Sequence, residues 1–424
     1  MKKKILYLLL WLTFHQISAQ QSQTLSLGMA IDTALSRNYG QQILLLSRRS
    51  SAEDLSQSKR DLLPDLQASA TQGFSNDGNT GNYSLSASAI LWKGGQQMNA
   101  IRRAKVALNQ SDSKIAQAQN DLIIRVIQNY LTAVMNEELY NYQISVAEIS
   151  KEMLQQGEAR YKAGEILESD YLLLQSQYAS DTYALTNSKI NRENALLDLK
   201  KILCIDPDIK LEIIHPDQFS PEALALPSLE DVIGQTFAWL PDLKIAEQNR
   251  QLADLDVKIA KGAYSPTLSL GASLGTNYNN LAAGSWKSQF SDNHLQQAGF
   301  TLSVPLWDKG KSYSGVKQSR IRVQQARLEA EQTELDLRMT LEKEYLNVIS
   351  LREKYEAAAI SNEAYAENFR VYTVRFEKGA VSATDMLQQQ NTYLSALNNY
   401  IQSKYNFWLN RKVIDVYMGN EINN

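Results

Sequence analysis

The chain has 424 residues, with 43 Lys and Arg against 46 Asp and Glu, a formal net charge of −3 and one cysteine. That balance excludes the basic surface of a nucleic-acid binder, and a single thiol excludes an intramolecular disulfide. A chain this long normally divides into two or more globular domains, but 19 glycines and 8 prolines are sparse for that plan, and two elongated, repeated halves are the alternative.

Lys2, Lys3 and Lys4 precede an apolar run from Ile5 to Phe14, and Ile17-Ser18-Ala19 places a small residue at a cleavage point. This predicts a secretory signal peptide over residues 1–19, its apolar core of roughly ten residues being too short to span a bilayer. The mature chain then begins near Gln20. No cysteine ends the signal, which argues against a lipid anchor, and loss of its three lysines takes the formal charge from −3 to −6. No later stretch approaches eighteen apolar residues, so no transmembrane helix is predicted.

After Pro64 the pattern alternates. Leu66, Ala68, Ala70 and Phe74 share one face, opposite Gln67, Ser69 and Thr71; Leu85, Ala87, Ala89 and Leu91 oppose Ser84, Ser86 and Ser88. Period two with one apolar face predicts half-buried strands, here a hairpin near 66–92. Arg102 to Lys162 follows without a proline, a helical rod of roughly 90 Å if continuous. Ile115, Ala118, Leu122, Val126, Tyr130 and Ala133 form a coiled-coil-like stripe on it, flanked by small and amide residues. Gly164 ends the rod as a C-cap with Arg160 and Lys162 in its last turn, and Ser169-Asp170 is expected to cap the returning helix. Asp206 to Pro227, acidic and proline-rich, reads as a connector (205–227), a candidate collar.

The same series then recurs. Leu268, Leu270, Ala272 and Leu274 alternate with Thr267, Ser269 and Ser273, and Phe300, Leu302, Val304 and Leu306 with Thr301 and Ser303, giving a hairpin near 267–307. Tyr313 to Lys378 is the second rod; Gly379 ends it behind Arg375 and Lys378, and Thr384-Asp385 opens the return. From Leu91 to Asn194 the copies align at a constant offset of 215, matching Trp92/Trp307, Tyr130/Tyr345, Gly164/Gly379, Asp170/Asp385 and Tyr178/Tyr393. Upstream the offset is 202, as in Asp54/Asp256, Lys59/Lys261 and Pro64/Pro266. The 13 extra residues lie in the loop between Thr276 and Leu295. Residues 20–204 and 228–424 are thus predicted as two structural repeats.

Each strand is roughly nine residues, the length that crosses a bilayer in a tilted barrel, and Trp92, Trp307, Phe74 and Tyr83 edge the apolar band as interface anchors. Four strands cannot close in lipid, where open edges leave backbone groups unsatisfied. Several copies must share one barrel, and three would give twelve strands. Catalytic chemistry is absent: His215 and His294, the histidines beyond the signal, have no metal-ligand spacing; Cys204 has no adjacent histidine and reads as a small buried apolar residue; no phosphate-binding glycine loop occurs. No enzyme activity, cofactor or metal is expected.

Duplicated strand pairs between long helices, behind a signal peptide, resemble the TolC family of bacterial outer-membrane efflux channels over nearly the whole mature chain. The segment Leu27, Ala30, Ala34, Leu35 and Asn38 is similar to that family's L-x-x-A-x-x-x-A-L-x-x-N start. The resemblance implies a mainly α fold with transmembrane β, its long-helix/β-hairpin repeat forming an α-helical barrel and a 12-stranded β-barrel shared by a homotrimer. It implies a passive exit duct in the outer-membrane lipid, extending into the periplasm and docked to a periplasmic adaptor and an inner-membrane pump. By motif match, Tyr161, Gly164 and Glu165 with Phe376, Gly379 and Ala380 would meet the adaptor. Asp385 falls where the family places an inward acidic ring, and Gln388 where a second aspartate can occur. Asp170 and Ser169 match one side of a closing network whose arginine is replaced here by Val381. A periplasmic coiled-coil adaptor or scaffold is the competing class, but it would carry lipoyl-like all-β domains and a single helical hairpin.

Overall fold

The computed structural model describes residues 23–76, 78–215 and 225–420. The predicted signal peptide and the middle of the predicted connector lie outside the described residues. In chain order, β1 (Gln23–Leu25), α1 (Leu27–Arg37) and α2 (Tyr39–Arg60) lead into β2 (Asp65–Ser75), β3 (Gly78–Lys93), α3 (Gln96–Lys162) and α4 (Glu168–Leu203). After β4 (Leu211–Ile213) come α5 (Leu229–Trp239), α6 (Pro241–Lys261), β5 (Thr267–Asn279), α7 (Trp286–Asp292), β6 (Leu295–Ser303), α8 (Lys311–Glu377) and α9 (Ala383–Met418).

The elements recur end for end. α3 and α8 are 67 residues each and α4 and α9 are 36, both pairs offset by 215 at either end. α1 and α5 are also matched at both ends, at the offset of 202. The recurrence therefore starts earlier than the sequence identities, and β4 falls inside the predicted connector. The extra residues between β5 and β6 hold α7 rather than a plain loop.

By internal packing the chain divides into two units, and neither coincides with a repeat. One comprises the residues up to Gln42 with Ala118–Trp239 and Arg338 onward; the other comprises Ile43–Gln117 and Leu240–Leu337. In the first unit, Leu27, Ala30 and Ala34 of α1 pack with Leu122, Val126 and Leu131 of α3, Leu199 and Leu203 of α4, and Ile401 and Trp408 of α9. β1 and β4 pair in parallel, and the Tyr130 hydroxyl donates to Leu25 O (3.1 Å) and Ile214 O (2.6 Å) beside them. Its repeat partner Tyr345 donates to Pro227 O at 3.0 Å, and Pro227 stands in front of α5 as Leu25 stands in front of α1. A second cluster joins Val232 of α5 to Val348 and to Phe407 and Ile414 of α9.

In the second unit α3 meets α6 through a polar seam. Arg103–Asp256 (2.7 Å), Gln110–Asn249 (2.6 Å) and Gln117–Asp242 (2.6 Å) advance seven residues per pair along both helices. That is the 3.5-residue repeat of a coiled coil with hydrogen bonds where a zipper has leucines. The strands form one antiparallel sheet in the order β2-β3-β5-β6, so the two hairpins merge and β2 and β6 remain as edges.

Two strand assignments are corrected. The β3–β5 register shifts between Ile90 and Trp92, so Leu91 is a bulge. A bulge adds one residue to one strand and reverses the alternation beyond it. Trp92 thus pairs with Leu268 and joins the apolar face in place of Leu91. β6 ends at Ser303, because Pro305 has no N–H to donate and biases Val304 away from helical backbone without giving the strand a ladder partner. Val304, Leu306 and Trp307 lie beyond the strand, and Leu306 and Trp307 are 91% and 84% exposed. The third correction concerns Cys204, which is half-buried rather than buried. It holds the left-handed C-cap of α4 (φ 52°), the position that Gly419 fills after α9.

Candidate functional site

The helical hairpins turn at Gly164 and Gly379, with φ of 74° and 70°. A Cβ at either would touch nothing within 4 Å, so backbone conformation and not space calls for glycine. Both turns close the same way. Gly164 N donates to Tyr161 O and Glu165 N to Arg160 O; Gly379 N donates to Phe376 O and Ala380 N to Arg375 O. These are paired Schellman bonds, which satisfy carbonyls the helix ends would leave orphaned.

The returning helices start differently. α9 is capped by Ser382, whose hydroxyl accepts from Asp385 N (3.1 Å) and donates to the Asp385 carboxylate (2.7 Å). α4 is preceded by Leu167, which offers no side-chain cap. Ser169 and Thr384, expected at the caps, instead sit one residue inside their helices, because each turn uses three residues after its glycine before helix resumes. Sequence reasoning missed Ser382, although Ser-x-x-Asp is a readable capping signal.

The tips share a small apolar core of Met153, Leu174, Phe376, Ala383, Met386 and Leu387, with Val381 packed against it. Phe376, expected at the partner-facing surface, is 5% exposed, so its ring belongs to this core. Val381, where the family resemblance would allow an arginine, makes an apolar contact there instead. Tyr161 is 38% exposed and stacks on Tyr171, ring centroids 5.3 Å apart. Gly164, Glu165, Gly379 and Ala380 are exposed, as are Asp385, Ser169 and Gln388, while Asp170 is half-buried. The structure does not bring Ser169 or Asp170 into a hydrogen bond with Asp385, whose carboxylate is engaged by Ser382. Gln388 lines an uncharged groove of about 680 Å³ in which Gln177, Thr384 and Asn391 alternate with the apolar Leu173, Leu387 and Ala396.

Arg160 joins the two tips. Its guanidinium donates to Phe376 O (3.3 Å) and Glu377 O (2.8 Å), and lies 5.4 Å from the Phe376 ring centroid. A cation set on the last carbonyls of a helix complements its dipole as well as satisfying its acceptors. Its place in the sequence points to its own helix, yet the helix it serves is the other one. Further along the hairpins Asp181 is buried, accepting from the Ser150 hydroxyl and from the Gln177 amide (3.0 Å), and the Gln390 amide reaches Ser150 at 3.4 Å. Burial, with Tyr393 and Asp181 nearby, raises the Tyr142 phenol in the same region. No sequence signal separates this buried aspartate from a solvated one.

Within the sheet, Phe74 stands near the β2–β3 turn and is exposed, whereas Tyr83 is half-buried against Phe290 of α7 (5.8 Å). Trp92 and Trp307 lie toward the opposite end of the sheet, where Lys93, Thr267 and Ser303 align. Phe300, on the apolar face, is 72% exposed. Among the described residues no helix is long and apolar enough to cross a membrane.

The family model described as outer membrane efflux protein matches residues 232–420. The outer membrane protein TolC of Escherichia coli (strain K12) is 23% identical over 438 residues, covering 98% of this chain and 86% of TolC. The alkaline protease secretion protein AprF of Pseudomonas aeruginosa is 20% identical, covering 70% of this chain and 61% of AprF. The crystal structure of the Campylobacter jejuni CmeC outer membrane channel is similar at a TM-score of 0.76 and 20% identity, over 93% of this chain and 85% of CmeC. With its strand pairs, helical hairpins and glycine tips, the chain shares the fold of these outer membrane channels, and over residues 232–420 it matches the outer membrane efflux protein family.

Proposed function

We propose that this protein is the outer-membrane exit channel of an efflux or secretion system, and that three copies complete its barrel. One observation carries the reading. Four strands present an apolar face to solvent, and among the described residues their sheet ends in two unpaired edges, β2 and β6. An exposed apolar patch of that kind marks an interface or a lipid surface, and open edges are not tolerated in a bilayer. Joining β6 of one copy to β2 of the next removes every edge, and three copies give the twelve strands of a closed barrel. The Ser and Thr face then lines a hydrated lumen, with Trp92, Trp307, Phe74 and Tyr83 at the lipid boundaries.

Transport through such a duct is diffusive. The chain supplies binding surfaces and a path, not energy, so a pump in the inner membrane drives the cargo and a periplasmic adaptor delivers it. Exposed Tyr161, Gly164, Glu165, Gly379 and Ala380 form the surface the adaptor grips. Asp385, hydrogen-bonded to Ser382 but exposed, gives every copy a carboxylate at the entrance, and Ser169, Asp170 and Gln388 belong to the same entrance. Purified protein in planar bilayers tests this directly. Steady ohmic conductance with cation preference is expected, and Asp385→Ala should lower that preference. Protein that inserts without conductance contradicts the channel, and an unchanged preference in Asp385→Ala contradicts the entrance assignment.

A further inference from the structure

The repeat is exact in length across the helical hairpins, yet its two arginines are used unequally. Arg160 bridges to the second tip, where it takes Phe376 O and Glu377 O and covers the Phe376 ring. Arg375, its partner at the offset of 215, is exposed, and its guanidinium meets the Tyr372 ring of its own helix at 5.7 Å. The receiving half of the missing contact is present in the chain. Phe376 and Glu377 correspond to Tyr161 and Lys162, so an aromatic ring and two C-terminal carbonyls recur at the end of α3. The ring's backing recurs too: Phe376 lies in one cluster with Met386, and Tyr161 stacks on Tyr171, which is Met386's counterpart. Tyr161 remains 38% exposed, so its ring is open to a further contact. The charge of Lys162 is held by Glu158 at 2.6 Å, which lessens its repulsion of an incoming guanidinium.

We propose that Arg375 makes the Arg160 contact across the subunit boundary, donating to the Tyr161 and Lys162 carbonyls of a second copy and lying on that copy's Tyr161 ring. Each tip would then hold the next around a closed ring, alternately within and between chains. Charge-assisted hydrogen bonds to terminal carbonyls suit this role, because backbone acceptors cannot be lost by substitution. The inference rests on the oligomer reading above, and the test separates the two.

A photo-crosslinking residue is placed at position 375 of the full-length protein in membranes containing both isotopically labelled and unlabelled copies. The expected result is an adduct between differently labelled chains that maps to Tyr161 or Lys162. The same residue at position 160 should give an adduct within one chain at Phe376 or Glu377. An intact oligomer whose position-375 adduct is missing, intrachain or elsewhere overturns the inference alone. A chain that stays monomeric overturns both readings. As the arginine-specific arm, Arg375→Ala should lower the temperature at which the unheated oligomer dissociates, whereas Arg160→Ala should leave it unchanged. Equal effects from the two variants would overturn the inference.

Discussion

Tyr130 carries two backbone acceptors on one buried hydroxyl, Leu25 O and Ile214 O, and so ties β1 and β4 to α3. Removing the hydroxyl takes one hydrogen bond from Ile214 O, while Leu25 O keeps its bond from Ile214 N, so the cost is about 1 kcal/mol. Tyr130→Phe should therefore lower the thermal midpoint measured by circular dichroism in detergent. Burial pushes the Tyr130 phenol up to about 12, and the Tyr405 phenol is raised by burial and by its bond to Glu138. A raised tyrosine pKa means that the folded state holds the proton longer. That stabilisation is complete below about pH 10, the unfolded value, and is lost as pH climbs through the folded one. The midpoint should thus fall above pH about 10, and fall less in Tyr130→Phe. Cys204 presents the opposite case. A non-glycine residue in left-handed backbone costs roughly 1 kcal/mol, and the matching position already holds Gly419. Cys204→Gly should stabilise the chain by about that amount in the same melts; a loss of stability would mean that the thiol's packing outweighs the backbone strain.

At the scale of elements, the two hairpin tips share a turn and differ in how the next helix begins. Ser382→Ala should cost about 1 kcal/mol at the start of α9 and speed amide exchange in its first turn. Leu167→Ser should slow exchange in the first turn of α4, where no side-chain cap exists. Failure of either change to move exchange locally would contradict the cap assignment. For the strands, Phe300→Arg on the apolar face should cost roughly 2–4 kcal/mol if the face meets lipid, and sharply reduce the protein recovered in outer membranes. Normal assembly of that variant would show that Phe300 faces something else. Much of this was legible in the residues. Strict alternation marked the strands, proline-free composition the long helices, and glycine behind basic residues the tips. The bulge at Leu91 was not legible, since alternation of Leu85, Ala87, Ala89 and Leu91 continues through it and only the neighbouring strand's register reveals the extra residue. The end of β6 could have been read from Pro305. The Arg160 bridge could not, because its acceptors are backbone carbonyls, which have no residue type to recognise.

For the molecule as a whole, the repeat and the compact units divide the chain in different ways. Each unit draws on both halves, so neither repeat is an independent domain, and truncation at the connector should yield two insoluble halves rather than one folded one. Large apolar side chains stay exposed on strands and helices alike, among them Leu66, Phe300, Leu328, Leu346 and Ile360. A monomer in water would leave that surface uncovered, whereas the lipid and neighbouring copies of the proposed channel would cover it. Composition and pattern already imply this incompleteness, because four bilayer-length strands cannot close. Cargo was not legible, since the small hydroxyls along the strands discriminate poorly among solutes.

If copies of this chain close one another's sheets in the outer membrane, the chain count of the extracted species must show it. Native mass measurement of protein extracted from outer membranes, run beside unheated and heated gel electrophoresis, is the most direct test. A heat-dissociable species of three chains in the outer-membrane fraction is expected. A monomer in the soluble periplasmic fraction would contradict it.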